Sequence, residues 1–204
     1  MVHHLSPVIR LNLGAGNQPY VGYTGVDMSG WAADVKHDLT TPLPFADNTV
    51  DEIFASHVVE HFPLWQIQKL LLDWHRALKP GGLFWGLVPD GPEVAKRYLE
   101  AVEQKDWGIK RICIANFCGG YTNNEFIGDG QIHYAVYDQD MLTEVLGNGR
   151  FHPILVTPVH RGPMDYALLF ACGKGVYPPL RIQDTGVYPG VPWRRPWWDG
   201  EVKE

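Results

Sequence analysis

A short apolar run, Val8 to Leu13, ends at the tight loop Gly14-Ala15-Gly16-Asn17, and Gly25-Val26-Asp27 follows soon after. A buried strand, a glycine turn and a second strand closing on an acid are the opening of an open α/β sheet. Such sheets bind ligands outside the carboxyl ends of their strands. Glycines at the turn let a ligand approach the backbone, because no Cβ stands in the way. A carboxylate at the end of the second strand can accept hydrogen bonds from two ribose hydroxyls. A nucleoside lying across strands one and two is the expectation.

The rest of the chain continues the alternation. Ala33 to Leu39 reads as a short third strand and Val50 to Ser56 as a fourth, with Pro42 and Pro44 in the loop between them. Leu64 to Leu78 reads as a helix, its stripe formed by Ile67, Leu71, Trp74 and Leu78. It stops at Lys79-Pro80-Gly81-Gly82, and Leu83 to Val88 is a fifth strand. Pro92 to Trp107 reads as a second helix, and Asp138 caps a third that runs through Leu146. Pro153 to Thr157 and Tyr166 to Cys172 are two last strands with no helix between them, so they pair antiparallel. The expected fold is a Rossmann-like seven-stranded, mostly parallel sheet with helices on both faces and an antiparallel final strand. It occupies residues 1–176 as one domain, with 107–137 inserted as a cap or substrate region. Residues 177–204, rich in Pro, Gly and Trp, read as an extended tail on the domain or on a second copy of the chain, a route to a homo-oligomer.

Bulk properties exclude several classes. Hydrophobic residues make up 45% of the 204, enough for a core, and no apolar run approaches the roughly 18–20 residues that span a bilayer. Met1 to Pro7 lacks the pattern of a secretion signal, so the cytoplasm is the expected location. A net charge of −6 argues against broad binding of nucleic acid. Cys113, Cys118 and Cys172 are too few for a disulfide framework. Cys113 and Cys118 with His133 match no familiar zinc spacing, and no metal is expected.

The loop discriminates among nucleosides. A dinucleotide fingerprint asks for a third glycine where this chain has Pro19. It also places its acid about 20 residues on, whereas Asp27 follows Gly14 by 13. There is little room for a first helix to aim its N-terminus at a pyrophosphate. A ligand without phosphate suits this loop better.

Four ordered blocks now bear on family. Leu11-Asn12-Leu13-Gly14-Ala15-Gly16-Asn17 resembles motif I of class I methyltransferases. Asp38-Leu39 with Pro42 to Asp51, then Ser56-His57-Val58-Val59-Glu60-His61, then Arg76-Ala77-Leu78-Lys79-Pro80-Gly81-Gly82 resemble the blocks that follow it. The chain is most similar to the methyltransferase type 11 group, in its short form with an abbreviated first helix, over about residues 8–172. The resemblance implies S-adenosyl-L-methionine as cofactor. It implies Gly14, Ala15, Gly16 and Asn17 around the methionine moiety, Asp27 on the ribose and Met28 on the adenine. Asp38 and Leu39 would meet the adenine edge, and Ser56 and His57 would stand beside the transferred methyl. Asn12 stands where the family usually has Asp, and the resemblance implies it as a cofactor contact that still accepts a hydrogen bond but lacks the charge.

Methyl transfer from a sulfonium is an in-line displacement, which needs a nucleophile held close and aligned. For a hydroxyl acceptor a general base helps, and His57, His61 and His133 are the candidates, with Asp90 a further residue to orient substrate. Trp107, Phe117, Tyr121, Phe126, Tyr134 and Tyr137 in the insert would stack on an acceptor ring or form the cap's own core. A small-molecule or sugar acceptor, a glycan precursor included, is the expectation from the resemblance. Two rivals remain: a cofactor-binding sensor or partner subunit without turnover, and a nicotinamide-dependent oxidoreductase, against which Pro19 and the short Gly14–Asp27 interval argue.

Overall fold

In chain order the elements are β1 (Arg10–Leu13), β2 (Thr24–Asp27), β3 (Val35–Lys36), β4 (Val50–Ser56), α1 (Leu64–Ala77), β5 (Leu78–Pro89), α2 (Gly91–Glu103), α3 (Trp107–Cys118), β6 (Tyr121–Thr122), β7 (Glu125–Phe126), α4 (Gln139–Asn148), β8 (Ile154–His160) and β9 (Tyr166–Gly173). This computed structural model describes residues 7–119, 121–122, 125–126, 131–160 and 165–175. The tail at 177–204 and Gly120, Gly128 and Gly130 lie outside them. Seven strands form one sheet in the order β3-β2-β1-β4-β5-β9-β8. β1 to β5 run parallel, and β9 lies antiparallel to both β5 and β8. The order reverses beside β1, so a crevice opens between the carboxyl ends of β1 and β4.

Period-2 burial sorts the two faces. Leu11 and Leu13, Ile53 and Ala55, and Phe84 and Val88 join a core with Ile67, Leu70, Leu71 and Trp74 of α1 and Leu142 and Leu146 of α4. On the other face Phe54, Trp85, Leu87, Leu169 and Ala171 form a second cluster, with Tyr20 and Tyr23 of the β1–β2 loop packed against it. No helix stands between β1 and β2 among the described residues, and these two tyrosines pack edge-on to Phe54 in its stead. Glu52 anchors the cluster, accepting hydrogen bonds from the Tyr23 hydroxyl and from Trp85 Nε1 at 2.7 Å.

Several elements differ from expectation: β3 is only Val35–Lys36 of the expected Ala33 to Leu39, and β8 runs on to His160. β5 is longer than Leu83 to Val88: it starts at Leu78, where the chain leaves α1 in an extended conformation, and a register irregularity near Val50 and Glu52 absorbs the Lys79–Gly82 stretch. The helix expected over Pro92 to Trp107 ends at Glu103, and Trp107 opens a second helix. Lys105 takes a left-handed φ of 56°, and the Asp106 carboxylate then caps α3 by accepting from Ile109 N at 3.0 Å. Residues 112–118, placed by the sequence in the inserted cap region without an assigned element, belong to α3.

The block Arg76 to Gly82 is structural. The Arg76 guanidinium donates to Asp73, Asp47 and the carbonyls of Leu43 and Phe45, and Lys79 Nζ reaches Asp51 at 2.7 Å. These bonds fasten the β3–β4 loop to the end of α1. Arg76→Ala leaves two carbonyls and a part-buried carboxylate without that donor, and is expected to destabilise the fold by about 1–3 kcal/mol. Urea unfolding measures it; an unchanged midpoint would refute the fastening role. Among the described residues no helix is long and apolar enough to cross a membrane.

Candidate active site

β1 pairs with β2 and β4 in matching register: Leu13 faces Val26 on one side and Ala55 on the other. Gly14, Asp27 and Ser56 therefore stand at one level on the carboxyl edge of the sheet. Gly14 and Gly16 have φ of 66° and 50°, values that L side chains rarely adopt. A Cβ on Gly14 would come within 2.5 Å of Val58 Cγ2, so the glycine turn lies directly on the segment that follows β4.

Asp27 organises the turn. Its Oδ2 accepts from Gly16 N at 2.8 Å and its Oδ1 from Ser29 N at 3.0 Å. A carboxylate has about four lone-pair sites, so these two bonds leave capacity for two hydroxyls. Asn17 Oδ1 accepts from Trp31 N at 3.1 Å, tying the turn to the loop after β2. Met28 is exposed on that loop, beside Asp27. Asp38 Oδ1 accepts from Thr40 N at 2.8 Å, and this bond holds its carboxyl below the usual carboxylate range. Leu39 is buried next to it.

Asn12 is placed differently from the rest. It is buried on β1, and its amide donates to Gln18 O at 3.1 Å. It braces the turn from beneath. Asp90, considered above for orienting substrate, caps α2 by accepting from Glu93 N.

After β4 the chain turns sharply at His57, whose φ of 55° is uncommon for a residue with a Cβ. A single 3-10 turn, Val59–His61, follows. His57 Nδ1 lies 3.0 Å from Glu60 Oε1, and the Glu60 side chain is fully buried. Burial pushes the Glu60 carboxyl up, but the His57 hydrogen bond and the neighbouring His61 and His133 more than offset it, so the group is held below the usual carboxylate range. His61 Nδ1 lies 3.1 Å from Ile132 O, and His133 Nδ1 lies 2.8 Å from Asn116 O. The rings of His61 and His133 meet edge to face at 4.7 Å. Burial pushes the His133 imidazole down, toward its neutral form. The Glu60 carbonyl accepts from Tyr134 N at 2.8 Å, stitching the insert to this turn. Buried Tyr137 lies against Glu60, and burial followed by that carboxylate pushes its phenol up.

The structure thus draws His57, His61 and His133 around one buried carboxylate. Sequence reasoning treated Glu60 only as a motif member. An acid three residues after one histidine and next to another was the available signal. Of the insert's aromatic residues, Phe117 packs against Val94, Cys113 and Tyr166, while Trp107 and Tyr134 are exposed. The side chains of Tyr121 and Phe126 lie outside the described residues.

Comparison with known proteins adds three findings. A family model described as a methyltransferase domain matches residues 18–86. No curated protein matches the chain. Solved structures match at the level of fold. A SAM-dependent methyltransferase of Methanosarcina mazei is 16% identical with a TM-score of 0.55, over 84% of this chain and 95% of its own. The 1,6-didemethyltoxoflavin-N1-methyltransferase of Burkholderia thailandensis, with 1,6-didemethyltoxoflavin and S-adenosylhomocysteine bound, is 16% identical with a TM-score of 0.55, over 83% of this chain and 72% of its own.

Proposed function

We propose that this S-adenosylmethionine-dependent methyltransferase of the class I fold transfers its methyl group to a small-molecule or sugar-type acceptor at the carboxyl ends of β4 and β5. The observation that carries the reading is the common level of Gly14, Asp27 and Ser56 on the sheet edge, with His57 next in the chain. The residues present fit the cofactor. Asp27 has lone pairs to spare for the two ribose hydroxyls, and a Cβ on Gly16 would meet nothing within 4 Å, so the turn faces open space. Gly14, Ala15 and Gly16 offer backbone to the methionine moiety, Met28 its side chain to the adenine, and Asp38 and Leu39 the adenine edge. Asn12 and Asn17 hold the turn in shape. Bound S-adenosylmethionine supplies a methyl group already activated by its sulfonium.

The chain's part is positioning and proton handling. With its Nδ1 proton donated to Glu60, His57 carries its basic lone pair on Nε2 and takes the proton of an acceptor hydroxyl there. Glu60 fixes the ring and stabilises the imidazolium that results. The Burkholderia neighbour, similar in fold, has both 1,6-didemethyltoxoflavin and S-adenosylhomocysteine bound, which supports a small acceptor.

Calorimetric titration with S-adenosylmethionine and S-adenosylhomocysteine tests the cofactor site, and transfer of labelled methyl to a panel of hydroxyl and sugar acceptors tests the rest. Saturable binding of one cofactor per chain is expected. A folded chain that binds neither ligand at roughly millimolar concentration, an affinity floor near 4 kcal/mol, would refute the site. Binding without transfer to any acceptor would favour a sensor.

A further inference from the structure

Around Glu60 the structure collects several hydrogen-bond acceptors, with His57 bonded to one carboxylate oxygen and the buried Tyr137 hydroxyl, itself without a partner among the described residues, close by. The Nδ1 atoms of His61 and His133 point at the carbonyls of Ile132 and Asn116. Carbonyl oxygens only accept, so both Nδ1 atoms carry the proton, and in the neutral rings both Nε2 atoms carry lone pairs. Glu60 Oε1 is bonded to His57, while the buried Oε2 accepts no hydrogen bond among the described residues. One carboxylate oxygen and one nitrogen from each ring lie within 4.8 Å of one another. Three acceptor atoms held this close together favour a positive group between them.

We infer that Glu60 Oε2 and the Nε2 atoms of His61 and His133 form a binding site for a divalent first-row transition ion of the zinc type. Two imidazoles and one carboxylate suit zinc and its neighbours, whereas magnesium and calcium prefer oxygen alone. Each histidine already donates its other ring N–H to a carbonyl, the outer-sphere bond that orients metal-binding imidazoles. Ligands held about 2.0–2.2 Å from a zinc ion stand roughly 3.3 Å apart, so side-chain rotations that draw the three atoms in from their 4.8 Å spread would accompany binding. Three protein ligands leave a position open, and the ion lowers the pKa of a hydroxyl bound there. That use toward an acceptor rests on the methyltransferase reading; the binding of the ion does not. The sequence spacing hides the site, because His133 lies far along the chain and is seated by the bonds of His133 N to Cys118 O and of Tyr134 N to Glu60 O.

The test uses the untagged full chain, stripped with EDTA and titrated with ZnCl2 by calorimetry, with the visible spectrum of the Co2+ form read in parallel. One ion per chain is expected, with Co2+ bands of a four- or five-coordinate site. Glu60→Gln, His61→Ala and His133→Ala should each weaken Zn2+ roughly tenfold or more. His3→Ala/His4→Ala and Cys113→Ser/Cys118→Ser should leave its affinity unchanged. Titration of the same samples with S-adenosylhomocysteine reports the cofactor site separately. A wild-type chain that binds S-adenosylhomocysteine yet takes no Zn2+ at about 0.1 mM overturns the proposal, with a proton as the occupant. So does Zn2+ binding that all three ligand variants leave unchanged. Loss of S-adenosylhomocysteine binding with Zn2+ binding intact strikes the methyltransferase reading instead. The wild-type titration decides even where a variant fails to fold.

Discussion

Asp27→Ala is expected to weaken S-adenosylhomocysteine binding about 100-fold, equivalent to about 2.7 kcal/mol. A hydrogen bond to a charged acceptor contributes about 1.5–3 kcal/mol, and the proposed site uses two such bonds to the ribose. The substitution also releases Gly16 N and Ser29 N, which the carboxylate holds at 2.8 and 3.0 Å, so the turn loses its preorganised shape. Asp27→Asn keeps an acceptor oxygen but loses the charge and half the acceptor capacity, and should fall between wild type and alanine. Calorimetry on samples with matched circular dichroism measures both. An alanine variant that binds as tightly as wild type would show that the ribose does not lie at Asp27, and the site reading would fail with it.

What the sequence revealed followed from signals that are local and periodic. β4 spans Val50 to Ser56 as expected, because its limits are set by a loop before it and a sharp turn after it. Ile67, Leu71 and Trp74 bury as their helical spacing requires. The antiparallel β8–β9 pair follows from the lack of a helix between the two runs. α3 was not legible because Ile109, Ile112, Cys113, Ile114 and Phe117 spread apolar residues around the helix, leaving no stripe to read. In the site, Asp27 and the glycine turn were legible because a strand, a turn and an acid fix their geometry at short range. Asn12 read as a cofactor contact on motif position alone. Its burial and its bond to Gln18 O depend on how the turn folds back over β1, which no spacing encodes. The role of Glu60 depends on His133 and Tyr134, brought close only by the path of the insert.

His57→Asn should lower kcat by about 100- to 10,000-fold for a hydroxyl acceptor, the usual contribution of a positioned base. Asparagine is the choice because it tolerates the left-handed backbone that His57 adopts at φ 55°, so the turn is preserved while the imidazole is lost. Affinity for S-adenosylhomocysteine should stay within about threefold, since His57 is expected beside the transferred methyl, which this ligand lacks, and the other assigned contacts lie on Gly14–Gly16, Asp27, Met28, Asp38 and Leu39. Loss of kcat at constant cofactor affinity is the signature of a group that acts on the acceptor's proton. His61→Ala gives the contrasting pattern, because it leaves His57 and its bond to Glu60 in place and removes one proposed ligand of the ion. A kcat deficit in His61→Ala that tracks lost Zn2+, beside a deficit in His57→Asn that persists at full Zn2+ occupancy, would separate proton transfer from acceptor binding. Full activity in His57→Asn would remove the imidazole from the chemistry and leave the ion, or the acceptor's own acidity, to generate the nucleophile.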